Sequence, residues 1–206
     1  MKIIYLTVFL FCVSSTTFAQ SSASTPKAWK KSLTDYWQAH QEELLTSDRA
    51  PLDEKKAKKL KYFKANSKYK LIATFNRTPY AKPFDMMTYS GLSREYQQYG
   101  TIYFTIDGKE YALAVYQNLE LKGQEKYKEY LFLPFKDLTN GDSSYGGGRY
   151  LNLSIQDVEV NKIPLDFNKA YNPWCAYSDG FNCPIPPKVN HLDLAIEAGE
   201  KKFKKK

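Results

Sequence analysis

The chain has 206 residues, of which 43% are hydrophobic, 16% aromatic and 25% charged, a composition that fits a folded domain and excludes a disordered or fibrous one. At this length roughly 70% of the unfolded surface can be buried, so one core can form without metals or staples. Ten glycines and ten prolines exclude a collagen-like or low-complexity chain, and the formal charge of +8 calls for a reading of where the lysines sit.

The N-terminal stretch MKIIYLTVFLFCVSSTTFAQ places Lys2 before an apolar run from Ile3 to Val13 and ends in Thr17-Phe18-Ala19. The run is too short for a bilayer of about 30 Å, which needs roughly 20 apolar residues. Small residues three and one before the Ala19/Gln20 junction mark residues 1–19 as a cleaved secretory signal. An exported chain, periplasmic or extracellular, is the expectation, and nothing later resembles a transmembrane segment. Removing residues 1–19 leaves a charge of +7. Five of those charges lie in residues 201–206 and six more in the run Lys55–Lys64, so the remainder carries −4. Two patches of this kind predict weak contact with anionic surfaces and no nucleic-acid partner, which would call for arginines and aromatics spread over a face.

Residues 20–26 read as a flexible leader. Thr25-Pro26 then supplies an N-cap followed by Pro at the first helical position. Trp29, Leu33, Trp37, Leu44 and Leu45 recur at helical spacing, and Pro51 with Asp53-Glu54 opens a second, shorter helix toward Phe63. Residues 27–64 are therefore N-terminal helices. Beyond Phe63 the period changes to two. Strands are expected over 69–77, 101–106, 109–116, 130–135 and 149–155, with another pair in 157–165. Asp107-Gly108 between two alternating runs is a hairpin turn with positive φ at both centres. The fold class that follows is mainly β with N-terminal helices, an antiparallel β-sandwich or small barrel in a single domain over 65–200, ending in a basic tail over 201–206.

Once the leader is removed, Cys175 and Cys183 are the remaining cysteines. In an oxidising compartment a disulfide is the first reading. Two free thiols, or a metal site with His191, are the alternatives, although the spacing matches no familiar zinc pattern. No cofactor or metal is expected.

Three stretches carry polar groups in suggestive patterns. In Tyr145-Gly146-Gly147-Gly148-Arg149-Tyr150 the glycines form either a tight turn or an anion-accepting loop, and Arg149 can fork onto a carboxylate. Asp166-Phe167-Asn168-Lys169-Ala170-Tyr171-Asn172-Pro173 alternates polar and aromatic residues, as a buried network or a pocket lining would. Cys183-Pro184-Ile185-Pro186-Pro187 is too proline-rich for a sheet interior and pins the C-terminal segment across the core.

The segments YGGGRYLNL, DFNKAYNPWCAYSDGFNCPIPP and NHLDLAIEAGEK resemble the bacterial family known as domain of unknown function 1684, over roughly residues 40–202. The resemblance carries onto Gly146, Gly147, Gly148, Arg149, Tyr150, Asp166, Asn168, Tyr171, Asn172, Cys175, Cys183, Pro184, Pro186, Asn190 and Ala198-Gly199-Glu200. It implies a shared fold and a shared polar site, and no activity. The family reads Glu-Asn-Arg-Leu where this chain has Val189-Asn190-His191-Leu192, which removes an acid–base pair and counts against His191 as a family metal ligand.

Binding is the expected function: a small polar or anionic ligand held by Gly147, Gly148, Arg149, Tyr150, Asp166, Asn168, Tyr171 and Asn172. One alternative is a carboxylate-assisted hydrolase of envelope carbohydrate or peptide, pairing Asp166 with Asp193 or Glu200. The other is an envelope interaction or scaffold protein working through the helix and the basic patches.

Overall fold

In the computed structural model, which describes residues 25–160 and 162–205, the chain opens with helix α1 (Pro26–Thr46) and a single turn α2 (Glu54–Ala57). The expected signal over 1–19 lies outside the described residues. Thr25 caps α1 through its hydroxyl, which accepts from Ala28 N–H at 3.2 Å, with Pro26 in the first turn. Trp29, Leu33, Trp37, His40 and Leu44 form its buried stripe.

The remaining strands are β1 (Lys70–Arg77), β2 (Phe84–Met87), β3 (Ser93–Ile106), β4 (Lys109–Asn118), β5 (Tyr130–Phe135), β6 (Arg149–Ser154) and β7 (Ile163–Asp166). They build one antiparallel sheet in the order β6-β5-β4-β3-β1-β7, with β2 paired to the outer stretch of β3. The domain is thus mainly β with an N-terminal helix, and the sheet curls as a half-barrel. Asp107 and Gly108 at the β3–β4 turn have φ of 52° and 76°, the positive pair a type I′ hairpin needs.

Two expectations change. The second helix shrinks to one turn, after which Tyr62 bridges to Glu200 and the chain runs extended. Residues 157–165 are not two strands: Ser154 and Asp157 make a reciprocal capping box that starts a single helical turn over Ile155–Val158, and only β7 follows.

The main core lies on one face of the sheet, where Ile102, Phe104, Leu113, Val115, Leu131, Leu133, Phe135 and Leu151 meet Phe167 and Ile196. Because side chains alternate between faces, the intervening residues Ala114, Tyr116, Phe132 and Tyr150 point the other way and form a second, aromatic cluster with Met86 and Tyr96. Burial of both faces explains why β5 reads as a continuous apolar run. The C-terminal segment closes this side: Tyr171 bridges to Tyr150 of the edge strand β6, and Pro184 bridges to Thr88. The basic tail also docks. Phe203 is buried, Lys201 N–H donates to Lys61 C=O at 2.8 Å and Lys202 N–H to Ser143 C=O at 2.9 Å, which brings the two lysine runs side by side.

Candidate functional site

Arg149 stands at the start of β6 with no exposed surface. Its Nη2 donates to Asp137 Oδ2 at 2.7 Å and to Ile196 C=O at 2.8 Å, while Nη1 donates to Ala198 C=O and, at 3.5 Å, to Glu200 C=O. The guanidinium also lies over the rings of Phe135 and Phe63, 5.4 and 5.9 Å from their centroids. Its counter-ion is internal. The expected fork onto a ligand is corrected accordingly: Arg149 ties the C-terminal segment to the sheet, and Asp137, two residues beyond β5, is its carboxylate.

Other members of the expected set are staples as well. Asp166 is separate from Arg149: Oδ2 accepts from Trp29 Nε1–H at 2.7 Å and Oδ1 from the Asn168 backbone and side chain. Asn168 exchanges two 2.9 Å bonds with the Asn66 backbone. Asn172 donates through its backbone to Glu200 and through its side chain to Lys201 C=O. Asn190 is fully buried and bonds the backbones of Ala114 and Pro134. Gly148, at φ 93°, has Phe135 C=O 2.7 Å from where a Cβ would stand, so the glycine run is a tight turn delivering Arg149 to the core. Gly147 C=O accepts from Tyr89 OH at 2.9 Å.

The hydrolase pairing loses its geometry. Both oxygens of Asp166 are engaged, Glu200 is sealed in the interior, and Asp193 lies 85% exposed beside Lys109. His191 is exposed on the surface, its Nε2 3.1 Å from Pro186 C=O.

Tyr150 and Tyr171, by contrast, do reach a cavity. It has a volume of about 290 Å³ and is walled by three parts of the fold. The sheet gives Tyr96, Tyr130, Phe132, Tyr150 and Asn152, helix α1 gives His40 and Glu43, and the C-terminal segment gives Tyr171, Trp174, Phe181 and Asn182. The period of two places Tyr130 with Phe132 and Tyr150 with Asn152 on one face, and the β5–β6 register sets Phe132 opposite Asn152. Of these the sequence assigns a site role to Tyr150 alone; Tyr130, Phe132 and Asn152 read only as strand residues. His40 lies on the buried stripe of α1, and its i, i+3 spacing to Glu43 is the sequence signal for the helical wall.

 The imidazole stands one helical turn after Trp37, three positions on, with its ring 5.0 Å from that of Tyr171.

Burial pushes the phenols of Tyr130, Tyr150 and Tyr171 up, so they stay neutral. Their hydroxyls are engaged within the protein: Tyr130 and Tyr171 both donate to Asn152 Oδ1, at 2.9 and 2.5 Å, and Tyr150 donates to Pro184 C=O. Glu43 Oε2 lies 3.8 Å from His40 Nδ1, and the imidazole holds the carboxyl below its usual range. His40 Nε2 is buried and has no hydrogen-bond partner among the described residues.

Cys175 and Cys183 form a disulfide. It closes the loop that carries Phe181 and keeps that ring 5.2 Å from Trp174, so it braces the outer wall of the cavity. Replacing both cysteines with serine is expected to lower stability by about 2.5 kcal/mol in the chain-entropy model, read by urea denaturation. A loss under about 0.5 kcal/mol would show that the aromatic contacts alone hold the loop.

No helix among the described residues is long and apolar enough to cross a membrane, and no group of three or more metal-ligating side chains occurs among them. No curated protein matches the chain. The solution NMR structure of an uncharacterized protein from Haloarcula marismortui is similar, with 31% identity and a TM-score of 0.66, over 85% of this chain and 95% of that one. The family described as "Protein of unknown function (DUF1684)" matches residues 55–201, the stretch that holds the whole sheet, the Arg149 network and most of the cavity wall, and the chain belongs to that family.

Proposed function

We propose that the protein is an exported domain that binds a small polar ligand in the tyrosine-walled cavity. The observation that carries this reading is the convergence of aromatic rings from the sheet and the C-terminal segment, with an imidazole and a carboxylate from α1, on one concavity of about 290 Å³. Ligand sites are typically concave and mostly apolar, with a few placed polar groups. Export is supported by the leader-like N-terminus and by the disulfide. The ligand's negative charge drops out of the expectation, because Arg149 is internal and no lysine or arginine lines the cavity.

The test is a thermal-shift and calorimetric screen of the mature chain against monosaccharides, polyols, neutral amino acids and small organic ammonium salts. At least one class should bind saturably, and Asn182→Trp, which plugs the exposed rim, should abolish that binding while leaving Tm unchanged. Binding that survives the plug, or no binding from any class, overturns the proposal.

A further inference from the structure

We infer that the cavity is a cage for a fully alkylated ammonium group, such as a trimethylammonium head. This rests on the cavity being the binding site and adds the chemistry of what enters it.

Charge is the first ground. Among the side chains lining the cavity the formal anion is Glu43, and no lysine or arginine faces it. The Glu43 side chain is 63% exposed, so its carboxylate stands at the mouth, beside His40 on one side and open to solvent on the other. A cation is the complementary charge.

The second ground is what the tyrosines still offer. The hydroxyls of Tyr130, Tyr150 and Tyr171 already donate to Asn152 and Pro184. Ring faces therefore remain where hydroxyl donors do not. A sugar, rich in groups that need hydrogen-bond partners, would find no tyrosine proton free and, besides Glu43 at the mouth, only the Asn152, Asn182 and His40 side chains to replace its water. A cation over ring faces gains from the negative face of each π system.

Ring orientation is the third. Phe132 and Tyr150 meet at 77° with centroids 4.7 Å apart, and Tyr150 meets Tyr171 at 89° and 5.9 Å. Near-perpendicular rings form the adjoining walls of a box and suit a compact, rounded cation better than a flat ring that needs a parallel platform. A primary ammonium is strongly hydrated and would need acceptors for its N–H groups. An alkylated one has no N–H to satisfy.

The probe is choline, titrated calorimetrically into the mature chain beside its neutral isostere 3,3-dimethylbutan-1-ol, in which carbon replaces the charged nitrogen, and glucose. Choline should bind one to one, with the isostere about tenfold weaker or more. Glu43→Gln should weaken choline by about threefold to tenfold and leave the isostere unchanged. Asn182→Trp should abolish both. Equal affinity for choline and the isostere overturns the cage, as does choline binding that survives the plug. Glucose or another polar probe binding in place of choline overturns the cage and leaves the cavity as a polar-ligand site. No binding from any probe overturns both.

Discussion

Replacing Arg149 with leucine is expected to destabilise the fold by about 3–5 kcal/mol, the cost of leaving one partner of a buried ion pair alone. Asp137 would keep its bonds from Thr139 and the Ile196 backbone but lose its cation, with no solvent to answer its charge. The carbonyls of Ile196 and Ala198 would lose a donor at the same time. For a domain of this size the midpoint should fall by roughly 10 °C. Removing both charges, as Arg149→Leu with Asp137→Leu, should be less damaging than the sum of the single changes, because neither residue is then a stranded ion. Urea denaturation of the three variants measures the coupling. Additive losses, or a single-variant loss below about 1 kcal/mol, would show that the guanidinium is solvated in the native state. If the cavity is the binding site, whatever fraction of Arg149→Leu remains folded should keep its ligand affinity.

Local chemistry made much of the fold legible. The Thr25-Pro26 helix start, the Asp107-Gly108 turn and the strands β4, β5 and β6 each reside in a few adjacent residues, and the chain adopts them close to where the sequence places them, whereas β3 begins eight residues before the expected 101. What failed was ambiguous at short range. Phe84–Met87 is four residues long with an aspartate inside, too short to show a period, and its strand state comes from pairing with β3. Residues 154–160 carry β-branched Val158 and Val160, which favour a strand, yet the Ser154–Asp157 capping box gathers the chain into a helical turn first.

The site divides in the same way. That Arg149, Asn168 and Asn172 could be answered from inside the molecule was readable, because polar residues interleaved with aromatics need internal partners when buried. Which partners was not, since Asp137 lies 12 residues from Arg149 and Ile196 47 residues away. The cavity stayed hidden for a different reason. Tyr150 and Tyr171 carried a site role in the sequence, but Tyr130 and Phe132 read only as strand residues, and only the covering of one sheet face by residues 171–184 turns that face into a lined hollow.

Raising the pH from about 4.5 to about 7 is expected to remove roughly 3 kcal/mol of stability through Glu200 alone. Its carboxyl is fully buried, which pushes its pKa up from 4.5 to about 7. Two donors and a field oppose that push: the Asn172 backbone N–H at 3.0 Å, Tyr177 OH, 2.7 Å from each oxygen, and the charge of His40. The phenols of Tyr36, Tyr62 and Tyr177, raised first by burial and then by the charge of Glu200, face the same interior. Within this window the unfolded chain has released the proton and the native state still holds it, so the stabilising contribution present below pH 4.5 drains away as pH rises and is gone above about 7. The 2.5-unit difference corresponds to about 3 kcal/mol at 1.36 kcal/mol per unit. Glu200→Gln keeps the shape and an acceptor for Asn172 and Tyr177 but cannot ionise. The stability difference between the natural chain and this variant should therefore shift by about 3 kcal/mol in the variant's favour between pH 4.5 and 8, measured by urea denaturation at half-unit steps. The same series in a His40→Gln background removes the imidazole whose field reaches Glu200. A difference that stays flat across the window would mean that Glu200 is already ionised inside the fold at pH 4.5, with the bonds from Tyr177 and Asn172 outweighing its burial.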